Sequence, residues 1–198
     1  MSKAEANQSA ILLAIDKLKD VDFDQRCPAL GLPTPVGGKL ILPVFGTEMT
    51  LDLKSFKMKN GAGKPACVGD LILVLHYLLS EVSIKQTGEL ISFRNLPGGQ
   101  FYYGPFRSRT VKPLLGRIGN DMEMLEKHLG RFDFERITGG DYAARIHAFG
   151  NLYVDLIYHV GDDEFDAAAD IVFDACIQRV FDAENAAVMA SRICIGLL

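Results

Sequence analysis

The sequence predicts an α+β fold, a single domain in which a mixed or antiparallel sheet packs against a central apolar helix. Strand patterns occur early, over residues 39–53, and again late, over residues 144–160, with helical patterns between them. This grouping differs from the regular strand–helix alternation that is typical of a parallel sheet. In addition, residues 68–82 are apolar around almost the full circumference of a helix, so that helix needs cover on several sides.

Composition excludes several classes of protein. The chain has 198 residues, of which 48% are hydrophobic and 23% charged, which suits one domain over residues 1–198. Its net charge of −4 argues against a nucleic-acid binder, which usually carries a basic excess. The longest apolar run, residues 71–79, is too short to cross a membrane, which takes about 20 residues. We therefore expect a soluble, cytoplasmic protein with no membrane partner.

The four cysteines stand far apart, at positions 27, 67, 176 and 194. No Cys-x-x-Cys pair occurs, so a zinc ribbon, a thioredoxin-type site and a linear iron–sulfur motif lack support. The sequence favours four reduced thiols in the cytoplasm over two disulfides.

Local signals place the elements of the first half. Ser2 and Glu5 have the spacing of a capping box at the start of a helix. Pro43 indicates that its strand lies at a sheet edge or is bulged. The predicted elements are a helix over 3–19, strands over 39–45 and 47–53 joined at Gly46, a short third strand near Met58, and the central helix over 68–82.

The second half begins with a strand over residues 90–96 and a type II turn over residues 96–99. A helix is predicted to begin at Gly104–Pro105, and Pro113 either limits that helix or begins a second one. A further helix is capped by Asn120, with His128 exposed. The remaining predictions are a hairpin of residues 144–149 and 152–160, an acidic loop over 161–166, a strand or helix start at 169–173, and a final helix capped by Asp182.

The candidate binding surface lies in residues 91–109, which combine a Pro-Gly-Gly turn, three arginines and a Phe-Tyr-Tyr triplet. Helix-start N–H groups and arginine forks both suit carboxylate or phosphate. Arg94 would share a strand face with Ser92. The predicted ligand-binding residues are Ser92, Arg94, Gly98, Gly99, Tyr103, Arg107 and Arg109. The alternative is that the arginines pair with the acidic loop at Asp162, Asp163 and Glu164 and only stabilise the fold.

Further side chains carry weaker hypotheses. Tyr102, Tyr103 and Phe106, with Tyr77 nearby, form either an aromatic binding platform or ordinary packing. The acidic loop, with Asp166, Asp170 or Asp174, is either a hard-cation site or a solvated turn, and its spacing does not match a calcium loop. His147 and His159, which face each other across the hairpin, lack a third ligand, so we predict no metal site. The secondary candidates are His76, Tyr77, Asp162, Glu164 and Asp174.

Known catalytic motifs are missing from the sequence. It contains no Gly-x-Ser-x-Gly elbow, Walker loop or dinucleotide fingerprint. Two alternatives to a binding domain stay open. One is an enzyme that draws its reacting groups from His76, Tyr103, Arg94 and Asp174, and the other is a protein that serves only self-association.

One stretch resembles a known family. Residues 91–99, Ile-Ser-Phe-Arg-Asn-Leu-Pro-Gly-Gly, preceded by Leu-His-Tyr-Leu at 75–78, resemble domain of unknown function family 3786 of anaerobic bacteria and archaea. The similarity is strongest over residues 65–190 and includes 103–109, 112–114, 140–141, 161–165 and 172–174.

The resemblance implies an accessory role, because some relatives carry an iron–sulfur domain or are encoded near corrinoid and one-carbon proteins. It implies no specific activity or cofactor. The preferred hypothesis is therefore a binding or accessory domain of anaerobic metabolism. Its arginine–tyrosine surface would hold a small anionic ligand or a corrinoid or iron–sulfur protein.

Overall fold

Seven α-helices and two antiparallel sheets make up the part of the chain, residues 2–198, that the computed structural model describes. This architecture confirms the predicted α+β fold. In chain order the elements are α1 (Lys3–Leu18), α2 (Phe23–Ala29), β1 (Lys39–Val44), β2 (Thr47–Asp52), β3 (Lys57–Asn60), α3 (Val68–Leu78), β4 (Leu90–Ser92), α4 (Gly99–Arg109), α5 (Val111–Ile118), α6 (Met122–Leu129), β5 (Phe134–Arg136), β6 (Tyr142–Phe149), β7 (Leu152–His159), β8 (Ala168–Asp174) and α7 (Ala183–Gly196), with short 3₁₀ helices at Phe93–Asn95 and Ala175–Arg179.

The smaller sheet has the order β1-β2-β3 and the larger the order β4-β8-β7-β6-β5. The two sheets meet at the tip of the first hairpin. Phe45 and Gly46 both have positive φ, 49° and 75°, which makes the two-residue type I′ turn that suits a twisted hairpin. The Phe45 N–H donates to the Ala148 carbonyl at 2.8 Å. A side chain at Gly46 would collide with the Arg131 carbonyl, so this turn lies directly against the loop between α6 and β5.

Helix α3 is the central helix, as predicted. It packs against both α1 and α7. Tyr77 is completely buried, and its ring edge meets Phe149 with the ring centres 5.5 Å apart. Its hydroxyl donates to the Leu30 carbonyl and accepts from the Asn151 N–H. These bonds satisfy the phenol inside the core, so Tyr77 ties α3 to the tip of the β6–β7 hairpin.

Helix α3 ends at Leu78, four residues before the predicted end at Val82. The Arg26 guanidinium donates to the carbonyls of Leu78 and Ser80, at 3.3 and 2.6 Å. These contacts satisfy carbonyls that have no partner within the helix, so the chain turns away there. Val82 lies beyond the end of the helix and is about half exposed.

The remaining first-half predictions are confirmed. The Ser2 N–H donates to the Glu5 carboxylate at 2.7 Å, and the Ser2 hydroxyl accepts from the Glu5 N–H at 3.3 Å, which completes the capping box of α1. Strand β1, which contains Pro43, lies at the edge of its sheet. Phe56 and Met58 are buried, and β3 forms the predicted third strand.

Two predictions of the last third are also confirmed, and the alternative left open for residues 169–173 is resolved. Strands β6 and β7 form the hairpin around residues 150–151. Residues 168–174 are a strand and not a helix start. The Asp182 carboxylate accepts from the Asn185 N–H at 2.8 Å and so caps α7. The buried face of that helix carries Ala186, Met189, Ile193 and Leu197.

The cap of α6 was predicted one residue too early. The Asp121 carboxylate, and not Asn120, accepts from the Met124 N–H at 2.8 Å. Asn120 instead exchanges two hydrogen bonds with the backbone of Gly161, at 2.9 and 2.8 Å. It therefore fastens the acidic loop to the link between α5 and α6.

His128 was predicted to be exposed, which is wrong. It is 7% exposed, and its Nδ1 lies 2.7 Å from the Leu197 carbonyl oxygen. The last turn of α7 leaves carbonyls without a helical partner, and His128 supplies one.

No helix within residues 2–198 is both long and apolar enough to cross a membrane. The four cysteines are free thiols, and all except Cys67 are buried. Burial raises the pKa of Cys194 to about 12, so this thiol stays neutral inside the core.

Candidate functional site

The Pro-Gly-Gly turn sets the position of the candidate surface. The Gly99 N–H donates to the Leu96 carbonyl at 2.8 Å, and Gly98 has φ 77° and ψ −9°, as a type II turn requires. A side chain at Gly99 would collide with the Phe93 carbonyl, so only glycine allows helix α4 to begin this close to the preceding 3₁₀ helix.

This close approach moves the start of the helix. Helix α4 begins at Gly99 and contains Pro105, so the predicted start at Gly104–Pro105 is wrong. Gly104 and Pro105 are exposed, and water can solvate the carbonyl that the missing proline N–H leaves unpaired.

The predicted strand over residues 90–96 is shorter in the structure, because it ends at Ser92 and gives way to a 3₁₀ helix. The Ser92 hydroxyl and N–H both donate to the Asn95 side-chain oxygen, at 2.8 and 2.9 Å. Ser92 and Arg94 therefore do not share a strand face. The Arg94 guanidinium lies over the Tyr103 ring instead, 3.9 Å from its centre.

Helix α4 sorts the predicted residues onto two flanks. Its buried side carries Gly99, Phe106 and the capping residue Thr110. Tyr103 and Arg107 lie one turn apart on one flank, where the Arg94 guanidinium covers the Tyr103 ring. Tyr102 and Arg109 lie on the other flank, which faces α7. The structure thus brings Arg94 into contact with Tyr103, places Arg107 one turn further along the same flank, and places Arg109 on the other flank.

We call the first group the arginine–tyrosine face and define it by Arg94, Tyr103 and Arg107. Within residues 2–198, no carboxylate lies within ion-pair distance of either guanidinium. In the same part of the chain, the buried Arg107 Nε has no hydrogen-bond acceptor. Buried donors are nearly always satisfied, so this atom is an exception.

The acidic loop does not pair with these arginines in the described chain. The Asp162 carboxylate accepts from the N–H groups of Glu164 and Phe165, at 2.9 and 2.8 Å, and these bonds lower the pKa of Asp162. The loop is thus a self-capped turn. Among residues 2–198, no group of three or more histidine, cysteine or acidic side chains has the arrangement of a metal site.

Arg109 faces a carboxylate on the second flank. Its Nη1 lies 3.7 Å from Oε1 of Glu184, in the first turn of α7. Two cavities adjoin this pair. The smaller, of about 330 Å³, lies between α4 and α7, and the larger, of about 720 Å³, lies between α1, α3 and α7.

The secondary candidates occupy separate surroundings. His76 lines the larger cavity, where its Nδ1 lies 3.0 Å from the Asn185 amide nitrogen. Tyr77 belongs to the core. Asp174 accepts hydrogen bonds from Thr87, Gly88 and Cys176 at the end of β8.

Asp174 is a structural cap. Burial alone would raise the pKa of Asp174, but backbone N–H donors from Thr87, Cys176 and Gly88 hold this pKa at about 2. Of the four residues of the enzyme hypothesis, only Arg94 and Tyr103 lie in contact.

Sequence reasoning missed two ion pairs. Arg192 binds the buried Asp70 through two hydrogen bonds, at 2.6 and 2.9 Å. Arg145 binds the buried Asp155 in the same way, at 2.9 and 2.8 Å. The sequence pattern that could have predicted these pairs is an acidic residue inside an apolar run, because a buried carboxylate needs a partner.

Two comparisons with known proteins, one with curated proteins and one with solved structures, found no match. A third, with models of protein families, matched residues 22–195 to the model described as Domain of unknown function (DUF3786). The match covers nearly the whole chain and includes the turn, the arginine–tyrosine face and helices α3, α4 and almost all of α7, but not α1. The chain therefore belongs to the DUF3786 family.

Proposed function

We propose that the protein is a cytoplasmic binding domain that holds an anionic group on the arginine–tyrosine face. The observation that carries the proposal is the Arg94 guanidinium over the Tyr103 ring, with Arg107 one turn further along the same flank of α4 and no carboxylate of the described chain within ion-pair distance of either arginine. Arg107 is only partly buried, so a bound carboxylate or phosphate would accept from the outer Nη groups of its fork.

Arginine chemistry favours a planar or tetrahedral oxyanion as the ligand. A guanidinium fork donates two parallel hydrogen bonds to a carboxylate or phosphate, and such charge-assisted bonds are stronger than neutral ones. The stack of Arg94 on Tyr103 holds one fork in a fixed plane, so less side-chain freedom is lost on binding. Arg107, one turn along the helix from Tyr103, adds a second positive charge.

The family resemblance adds an expectation about the carrier of this anion. It implies a link to corrinoid and one-carbon metabolism in anaerobes, so a corrinoid or iron–sulfur protein is the partner we propose alongside a small ligand. An acidic side chain of such a partner would meet the same two arginines.

Thermal shift and calorimetric titration with phosphate, malonate, citrate and hydroxocobalamin at low salt test the proposal. An anion at about 100 times its Kd stabilises the native state by about 2.7 kcal/mol. For a chain of this size each kcal/mol raises the melting temperature by about 2–4 °C, so a rise of several degrees is expected. Arg94→Ala and Arg107→Ala should each abolish most of this rise.

Arg117→Ala is the matched control, because Arg117 is exposed on α5 and makes no ion pair within residues 2–198. Arg107→Lys keeps the charge but removes the fork, so it should recover little of the binding. Equal temperature shifts in the wild type, Arg94→Ala and Arg107→Ala would refute the proposal. Marked destabilisation of Arg107→Ala without ligand would instead assign that residue to the fold.

A further inference from the structure

The α4–α7 pocket, the smaller cavity of about 330 Å³, lies on the flank of α4 opposite the arginine–tyrosine face. Tyr102, Pro105 and Pro97 line it together with the stacked rings of Phe93 and Phe106. Those two rings lie parallel with centres 4.1 Å apart. The volume is at the lower end of the range of about 300–1,000 Å³ that ligand pockets span, so it suits one small ring.

An exposed ion pair forms the boundary between this pocket and the larger cavity. Arg109, Glu184, Asp182 and Ala187 line both spaces. The Arg109 and Glu184 side chains are 54% and 71% exposed, and their charged atoms stand 3.7 Å apart. Such exposed pairs contribute only about 0–1 kcal/mol, so a ligand can separate them easily.

The charges at this boundary restrict what can bind. When Arg109 and Glu184 separate, a cation and an anion face the ligand side by side. A simple carboxylate would satisfy Arg109 but leave Glu184 unpaired, and a simple amine would do the reverse. Asp182 lines the same boundary and caps α7 by accepting from the Asn185 N–H, so its negative charge adds to that of Glu184 on the side that an ammonium group would face.

We propose that the α4–α7 pocket binds a free α-amino acid with an aromatic side chain. Its carboxylate would pair with Arg109 and its ammonium group with Glu184, so both charges of the opened ion pair are matched by one zwitterion. Its ring would lie against Tyr102 and Pro105. This site uses neither Arg94 nor Arg107, so the inference does not depend on the proposed function.

Calorimetric titration with L-phenylalanine and three analogues tests each part of this assignment. 3-Phenylpropionate lacks the ammonium group, 2-phenylethylamine lacks the carboxylate, and L-alanine lacks the ring. We expect L-phenylalanine to bind, and 3-phenylpropionate and 2-phenylethylamine to bind about two- to fivefold more weakly, because each loses one exposed ion pair. L-Alanine should bind more weakly than L-phenylalanine because it lacks the ring that contacts the apolar wall. Glu184→Gln and Arg109→Gln should weaken L-phenylalanine binding by a similar factor.

Arg94→Ala is the control that separates this site from the arginine–tyrosine face. It should abolish anion binding there and leave L-phenylalanine binding unchanged. Because Arg109 and Glu184 are exposed, their variants should keep the wild-type circular dichroism and melting temperature. No binding of L-phenylalanine at millimolar concentration would overturn the assignment, as would equal affinities for L-phenylalanine and 3-phenylpropionate or an unchanged affinity in Glu184→Gln.

Discussion

Replacing Arg192 by alanine is expected to destabilise the protein by about 3 kcal/mol. The Arg192 guanidinium makes two hydrogen bonds to Asp70, whose side chain is only 3% exposed. Removing one partner of a buried pair costs about 3–5 kcal/mol, because the other charge stays buried and unpaired. The Arg192 side chain is 34% exposed, so water can reach part of the vacated space and the lower end of this range applies.

Urea unfolding followed by far-ultraviolet circular dichroism measures this loss, since the chain has no tryptophan to report by fluorescence. With a denaturant slope of about 2–3 kcal/mol per molar, the midpoint should fall by about 1–1.5 M. The double variant Asp70→Leu/Arg192→Met leaves no unpaired charge and should regain most of the stability. A midpoint for Arg192→Ala no lower than that of the exposed control Arg117→Ala would refute the reasoning.

Two further predictions concern Asp174 and the Pro-Gly-Gly turn. The pKa of Asp174 is about 2 in the folded protein and 3.8 ordinarily, so its ionisation contributes on the order of 2 kcal/mol above about pH 4, and this is lost as the pH falls through about 2. The stability difference between wild type and Asp174→Asn should therefore shrink from pH 6 to pH 2.5, and a constant difference would contradict it. Gly99→Ala should destabilise the fold by more than about 1 kcal/mol, because the new side chain would collide with the Phe93 carbonyl. Gly104 lies in open space on the same helix, so Gly104→Ala should stabilise the fold by about 0.5–1 kcal/mol. Urea midpoints that rank the two variants the other way round would disprove this.

Local signals were sufficient where a short stretch of chain carries its own constraint. The capping box at Ser2 and the glycine tip of the β6–β7 hairpin act within a few residues, so their elements were predicted correctly. The apolar residues of α3 likewise predict a helix that is covered on several sides. These features depend on hydrogen bonds and apolar contacts between residues that are close together in the sequence.

Predictions failed where distant parts of the chain decide the outcome. Helix α4 begins at Gly99 because of its contact with Phe93, which the pattern around Pro105 does not contain. His128 is buried because the end of α7 arrives beside it. The arginines of residues 91–109 were predicted to form one surface, but the helical turn places Arg107 and Arg109 on opposite flanks of α4. The sequence identifies which arginines and tyrosines lie in the candidate surface, but only the position of each residue around helix α4 shows which of them share a flank.

The tip of the β1–β2 hairpin, where the two sheets meet, should tolerate insertions less well than most hairpin tips do. Tips of hairpins commonly accept inserted residues and are cut by proteases, because little holds them. Here the tip at Phe45–Gly46 is held against β6 and the Arg131 carbonyl, while the link between β2 and β3 exposes Lys54 and Ser55. A peptide tag or a fused reporter therefore belongs in the second turn of this meander, where it can extend into solvent without separating the two sheets.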